Sequence, residues 1–252
     1  MQKPKLGFVA TLVRLAVAGL GLECLPVIAV STIHLTISAV PVEIPIPVGF
    51  APVTTAMTNL IKSLEARVPP HNKLLVSFIP TNEIALALKG SVPSLTRSLS
   101  VQIPKEAPPG PVTDSDFADI KEALRRHNAL LLLETEKQVP GSLRQLADNL
   151  TNALALNPVL RSLPAITFPI HDDSDTSISF SSIAISVAPG TNGVPEKRVS
   201  VTTATLVHLK QTVFHLYAYG DENDLQWSRR LSRQWTDAIL QMNSPEVLKQ
   251  EQ

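Results

Sequence analysis

Two long alternating runs, Val199 to Leu209 and Thr212 to Tyr219, are separated by only Lys210 and Gln211. Two residues reverse a strand but cannot carry the chain across to a parallel neighbour, so the runs must pair as an antiparallel hairpin. With Lys210-Gln211 as the turn, Leu209 faces Thr212 and Leu206 faces His215. The period of two then sorts the side chains. One face collects Val199, Val201, Val207, Leu209, Phe214, Leu216 and Ala218, and reads as core. The other carries Leu206, His208, Val213, His215, Tyr217 and Tyr219. A helix follows at once, with Asp221 as its expected cap and Pro245 as its end. Its stripe of Trp227, Leu231, Trp235, Ala238, Ile239 and Met242 has helical spacing and needs an apolar surface to cover.

The rest of the chain supplies elements of the same kinds. Ile33 to Ala39 alternates as a strand, and Val42 to Val48 continues the period as an edge or extended segment because Pro41, Pro45 and Pro47 lack the ladder donor. Met57, Leu60, Ile61 and Leu64 predict a helix from about Thr54 to Arg67. Leu74 to Ile79 reads as a buried strand, and a short helix near Asn82 to Leu88 ends at Gly90. Leu99, Val101 and Ile103 mark another strand, and the prolines of Lys105 to Val112 mark a surface loop. Helices are expected from Thr113, from Ala129, and from Ser142 to Leu154, the last opened by the capping-box pair Ser142 and Gln145. Ile166, Phe168 and Ile170 alternate. Ile178 and Phe180 lie in one phase and Ile183, Ile185 and Val187 in the other, which predicts a β-bulge at Ser181-Ser182. Strands, helices, strands and a closing helix make an α+β fold, a mainly antiparallel sheet packed by helices.

A strand leading into Pro47-Val48-Gly49-Phe50, a late hairpin ending in Leu216-Tyr217-Ala218-Tyr219 and a helix with Trp227 and Trp235 resemble the PsbP-like α/β/α sandwich. The helical insertion from Thr113 to Leu156 is longer than in the simplest members. The resemblance implies a non-catalytic binding or assembly protein.

The chain begins with Lys3, Lys5 and Arg14 ahead of Leu15 to Val30, an apolar run of signal-peptide length, and Ala29 and Ser31 have cleavage-site spacing. This predicts an export signal over residues 1–31, a single mature domain over 32–252 starting near Thr32, and a periplasmic or secreted location. Glu23 interrupts the run, which leaves an uncleaved anchor or a buried N-terminal helix containing Cys24 as alternatives. No membrane span is expected in the mature chain. Lys+Arg and Asp+Glu are both 22, which argues against a nucleic-acid partner because phosphate neutralisation needs a basic excess. Cys24 is the single cysteine, so no internal disulfide forms.

The densest ionisable cluster is His171, Asp172, Asp173 and Asp175. Asp173, Asp175 and Ser177 have the alternate spacing of a calcium loop, but Ile178 replaces the required glycine and no glutamate closes the loop. An acidic turn without metal is the expectation. Arg229, Arg230 and Arg233 read as a solvated helix face. The chain has no zinc helix, nucleophile elbow, phosphate loop or dinucleotide fingerprint, so no catalytic residue and no cofactor is assigned. His208, His215, Tyr217 and Tyr219 are the candidate ligand- or partner-binding residues, since their rings could stack on or hydrogen-bond a ligand. The leading expectation is a non-catalytic exported protein that binds a protein partner or a ligand. The alternatives are an enzyme with a non-sequential site, such as a metal-dependent hydrolase, and a small-molecule or lipid binder with an apolar cleft between sheet and helices.

Overall fold

The computed structural model describes residues 31–106, 110–138, 165–189 and 195–244. Strands β1 (Thr32–Ile37) and β2 (Val40–Pro45) form a hairpin of their own. An eight-stranded antiparallel sheet contains β3 (Phe50–Pro52), β4 (Asn72–Pro80), β5 (Ser98–Pro104), β6 (Ala165–Thr167), β7 (Asp172–Asp173), β8 (Ser177–Pro189), β9 (Pro195–Leu209) and β10 (Thr212–Asp221). Its order is β3-β4-β5-β10-β9-β8-β6, with β7 beside β8. The described helices are α1 (Thr58–Glu65), α2 (Ile84–Leu88), α3 (Asp114–Gln138) and α4 (Leu225–Met242). The chain is therefore α+β, an antiparallel sheet packed by helices. The expected leader with Cys24, the centre of the proline-rich loop, the helix expected over Ser142 to Leu154 and the turn around Gly193 lie outside the described residues.

The β9–β10 hairpin has the expected register, with Leu209 opposite Thr212 and Leu206 opposite His215. Lys210 and Gln211 both adopt positive φ, 50° and 59°, the backbone of a type I′ turn. Ser38 and Ala39 do the same at the tip of β1–β2, with φ of 50° and 67°. Lys210 links the two hairpins by donating to the Pro41 carbonyl at 3.2 Å.

The central position of this hairpin means that both its faces are covered. On one face Phe78, Leu99, Val101, Val207, Phe214, Leu216 and Ala218 meet Trp235 and Ile239 of α4 and Ile37, Val42 and Ile44 of the small hairpin. Trp235 sets its ring edge-on to Phe78 at 5.5 Å and donates its indole N–H to the Pro45 carbonyl at 2.9 Å. Gly220 lets β10 run close to the start of α4, since a Cβ there would collide with that of Asp224. On the opposite face α1 lays Met57, Leu60 and Leu64 on Ile79, and α3 lays Phe117 on Ile178 and Leu206.

Several expectations need correction. β8 and β9 pair in unbroken register from Ser177–Val207 to Pro189–Pro195, so Ser181-Ser182 forms no bulge. The apolar phase changes along β8 because the strand is covered from both sides: Ile178 packs beneath α3, and Ile183 is buried on the other face. A register shift does occur in β4, between Leu74 and Val76. The helices expected from Thr113 and from Ala129 are one continuous 25-residue helix. Phe168 and Ile170 lie beyond the three residues of β6. Asp224, not Asp221, occupies the N-cap of α4, while Asp221 accepts from the Asn223 N–H in the turn before it.

Between α4 and the β8–β9 pair the interior is hydroxylic. Ser179, Thr205 and Ser232 form one chain of hydrogen bonds, at 2.7 and 2.9 Å. Ser181, Thr203 and Ser228 form a second, at 2.9 and 2.8 Å. Ser228, Ser232 and Thr236 recur every four residues, so α4 presents a stripe of small polar side chains beside its apolar one.

Candidate functional site

The site is built by the way α3 is anchored. Thr113 and Asp116 cap it reciprocally: the Asp116 N–H donates to the Thr113 hydroxyl at 3.2 Å, and the Thr113 N–H to the Asp116 carboxylate at 2.9 Å. His208 fixes the same end from the sheet. Its ring stacks on Phe117 at 4.9 Å and its Nε2–H donates to the Val112 carbonyl at 2.8 Å, while Nδ1 lies 3.5 Å from Asp114. Beyond this anchor the helix and the sheet enclose a cavity of about 380 Å³. Val112, Ile120 and Leu124 form one wall; Phe180, Leu206, Val213 and His215 form the other. The tips of both hairpins, at Ser38 and Gln211, close one end.

From the cavity an aromatic row continues along β10. His215 stacks on Tyr217 and Tyr217 on Tyr219, each at 5.9 Å between ring centres. The tyrosine hydroxyls are held by the sheet beneath them: Asn72 donates to Tyr217 at 3.1 Å and Gln102 to Tyr219 at 3.2 Å. Gln102 also donates to Ser100 and accepts from Asn72, so this polar patch is internally satisfied. Burial pushes the Tyr217 phenol up to about 12 and the Tyr219 phenol in the same direction, and pushes the His215 imidazole down to about 4. At neutral pH all three are uncharged. Among the described residues no group hydrogen-bonds the His215 ring.

Of the residues singled out in the sequence, His215, Tyr217 and Tyr219 are thus brought together as one row, with His215 in the cavity wall. His208 lies on the same sheet face but is engaged at the start of α3. The walls supplied by Ile120, Leu124 and Phe180 were not assigned to a site from the sequence. Their spacing marks them as apolar, but which side of α3 lifts off the sheet is a matter of tertiary packing.

The acidic turn is taken up by cations from both faces of the sheet. Asp172 receives Arg233 of α4 through two hydrogen bonds, at 3.0 and 3.1 Å. Asp173 receives Arg125 at 2.8 Å and Lys121 at 3.1 Å, both from α3. Partial burial pushes the Asp173 carboxyl up, but hydrogen bonds from Arg125 and Lys121 outweigh it and hold the group below its ordinary value. Among the described residues no three His, Cys, Asp or Glu side chains are grouped to hold a metal. The solvated-face reading of the arginines needs revision at Arg229. That side chain lies over Phe168, 5.1 Å from the ring, and donates to Ser181 at 3.2 Å. His171 bonds the same serine at 3.1 Å, and burial followed by the nearby Arg229 charge pushes its imidazole down to about 4. No described helix is long and apolar enough to cross a membrane.

No family model and no curated protein matches the sequence. Among solved structures, the chain is similar to the Saccharomyces cerevisiae Ran-binding protein Mog1p, at 10% identity and a TM-score of 0.34, over 84% of this chain and 94% of that one.

Proposed function

We propose that the chain is a non-catalytic binding protein that takes a small apolar molecule into the cleft between α3 and the sheet. The cavity itself carries this reading. Its volume of about 380 Å³ lies in the range of small-molecule sites, and its walls are mainly aliphatic and aromatic with few polar groups. Open to solvent along one side, it leaves apolar walls that a bound molecule would cover. The test is saturable fluorescence enhancement of Nile red, a neutral apolar dye. Ile120→Trp, placed on the wall at the solvent edge, should abolish the enhancement while leaving the thermal melt near that of the parent. Undiminished binding by a folded Ile120→Trp variant would remove the cleft from consideration.

Export completes the proposal: the leader is removed and the mature chain acts outside the cytoplasm. The mass of the N-terminal peptide from the native host checks this, and an intact Met1 in cytosol refutes it. A protein partner is the second reading, favoured by Leu130 and Leu133, which are 65% and 60% exposed on α3. They lie three residues apart and so share a face of the helix.

A further inference from the structure

We infer that the cleft selects uncharged ligands, with an apolar body and one hydrogen-bonding head group such as an alcohol, ketone or amide, held by His215. The inference rests on the reading of the cleft as a ligand site and adds the chemical class of what fills it.

Three observations support it. First, none of the described residues lining the cavity is Lys, Arg, Asp or Glu. A carboxylate or phosphate drawn into this space would be stripped of water with no countercharge, and burying an unpaired ion costs several kcal/mol even after relaxation. The neighbouring cations of α3 are committed elsewhere: Lys121 and Arg125 point to Asp173. Second, the cavity is not wholly apolar. His215 stands in its wall, stacked on Tyr217, and no described residue hydrogen-bonds its ring. A neutral imidazole has one N–H donor and one bare acceptor nitrogen, which suits a hydroxyl or an amide in either role. Third, the neighbouring polar side chains do not compete for that ring. Tyr217 is bonded by Asn72, and Tyr219 by Gln102. Burial keeps the His215 ring uncharged at neutral pH, so that side of the cavity offers an anion no countercharge, and His127 on the α3 side is the other imidazole in the lining.

Competition for bound Nile red by decanol, decanoate and butylbenzene, on the mature chain at neutral pH, tests the inference. Decanol should displace the dye at concentrations at least tenfold below decanoate. His215→Phe keeps a ring in the stack and removes both nitrogens. It should weaken decanol about three- to tenfold, the loss of one hydrogen bond, and leave butylbenzene unchanged because that molecule has no head group. Decanoate competing as well as decanol would overturn the selection for uncharged ligands, with the cleft still standing as a site. Decanol affinity unchanged in His215→Phe would overturn the role of His215. If the dye does not bind at all, it is the reading of the cleft as a ligand site that fails.

Discussion

Thr205→Val tests whether the hydroxyls beneath α4 are a connected structure or a set of separate stabilising bonds. Ser179, Thr205 and Ser232 are 2%, 1% and 1% exposed, so water cannot substitute for a lost partner. The Thr205 hydroxyl sits between the other two, 2.7 Å from Ser179 and 2.9 Å from Ser232. Valine keeps the shape and removes the oxygen, which leaves a hydroxyl on each side short of a bond. An orphaned buried polar group costs about 1–3 kcal/mol, so two of them should cost roughly 2–4 kcal/mol after the valine methyl recovers part of the loss. In a domain of this size 1 kcal/mol moves the midpoint by roughly 2–4 °C, which puts the expected drop at about 5–15 °C.

The triple variant Ser179→Ala, Thr205→Val, Ser232→Ala removes donors and acceptors together. Replacing every partner by an apolar group of similar shape can be close to neutral, so the triple variant should lie within about 1 kcal/mol of the parent and above the single one. Urea denaturation measures both, and an unchanged slope with denaturant confirms that only stability has moved. The reasoning is refuted if the triple variant loses the sum of its parts, because each hydroxyl would then stabilise α4 independently. A silent Thr205→Val would refute it as well. The parallel chain through Thr203 is a poorer test, since Arg229 and His171 also bond Ser181 and bring charge into the balance.

Trp235→Ala should be among the most damaging changes in the chain, at about 3–5 kcal/mol, because it opens a cavity beside Phe78 and strands the Pro45 carbonyl. Trp227→Ala, at a half-buried ring stacked on Phe50, should cost clearly less, and melting curves that reversed this order would displace Trp235 as the anchor of the small hairpin. Stability should also fall with pH between about 6.5 and 4. There the unfolded chain binds protons on His171 and His215 that the folded chain, with both imidazoles pushed down to about 4, does not. The contribution is complete above pH 6.5 and shrinks as the pH drops, by up to about 2 kcal/mol for His215 at pH 5 and less for the wetter His171. His215→Phe should flatten the profile of urea midpoint against pH in that window, and an unchanged slope would mean that the ring is solvated.

The parts of the fold legible in the sequence are those decided by local periodicity. The register of β9–β10 follows from a two-residue turn between two alternating runs, and with it the sharing of one face by His215, Tyr217 and Tyr219. The closing helix follows from its apolar stripe. Where the reading fails, the cause is burial by something distant in the chain. The two phases of β8 imitate a bulge because α3 covers one end of the strand and its opposite face is buried elsewhere, and periodicity in one strand cannot distinguish an inserted residue from a change of side. Ser228, Ser232 and Thr236 look like the wet side of α4, yet they are among its most buried residues: Thr203 and Thr205 of β9 bond the two serines, and Thr236 donates to the Ser232 carbonyl. The cleft is hidden for the same reason. Ile120, Leu124, Leu206 and Val213 are each recognisable as apolar, and nothing in their spacing distinguishes a fully packed interface from one that leaves a cleft at its edge. That difference is set at the far end of α3, where Thr113, Asp116, Phe117 and His208 fix how the helix leaves the sheet. His208, a candidate ligand- or partner-binding residue by its face of the hairpin, stacks on Phe117 and bonds the Val112 carbonyl, so it also holds the start of α3 against the sheet.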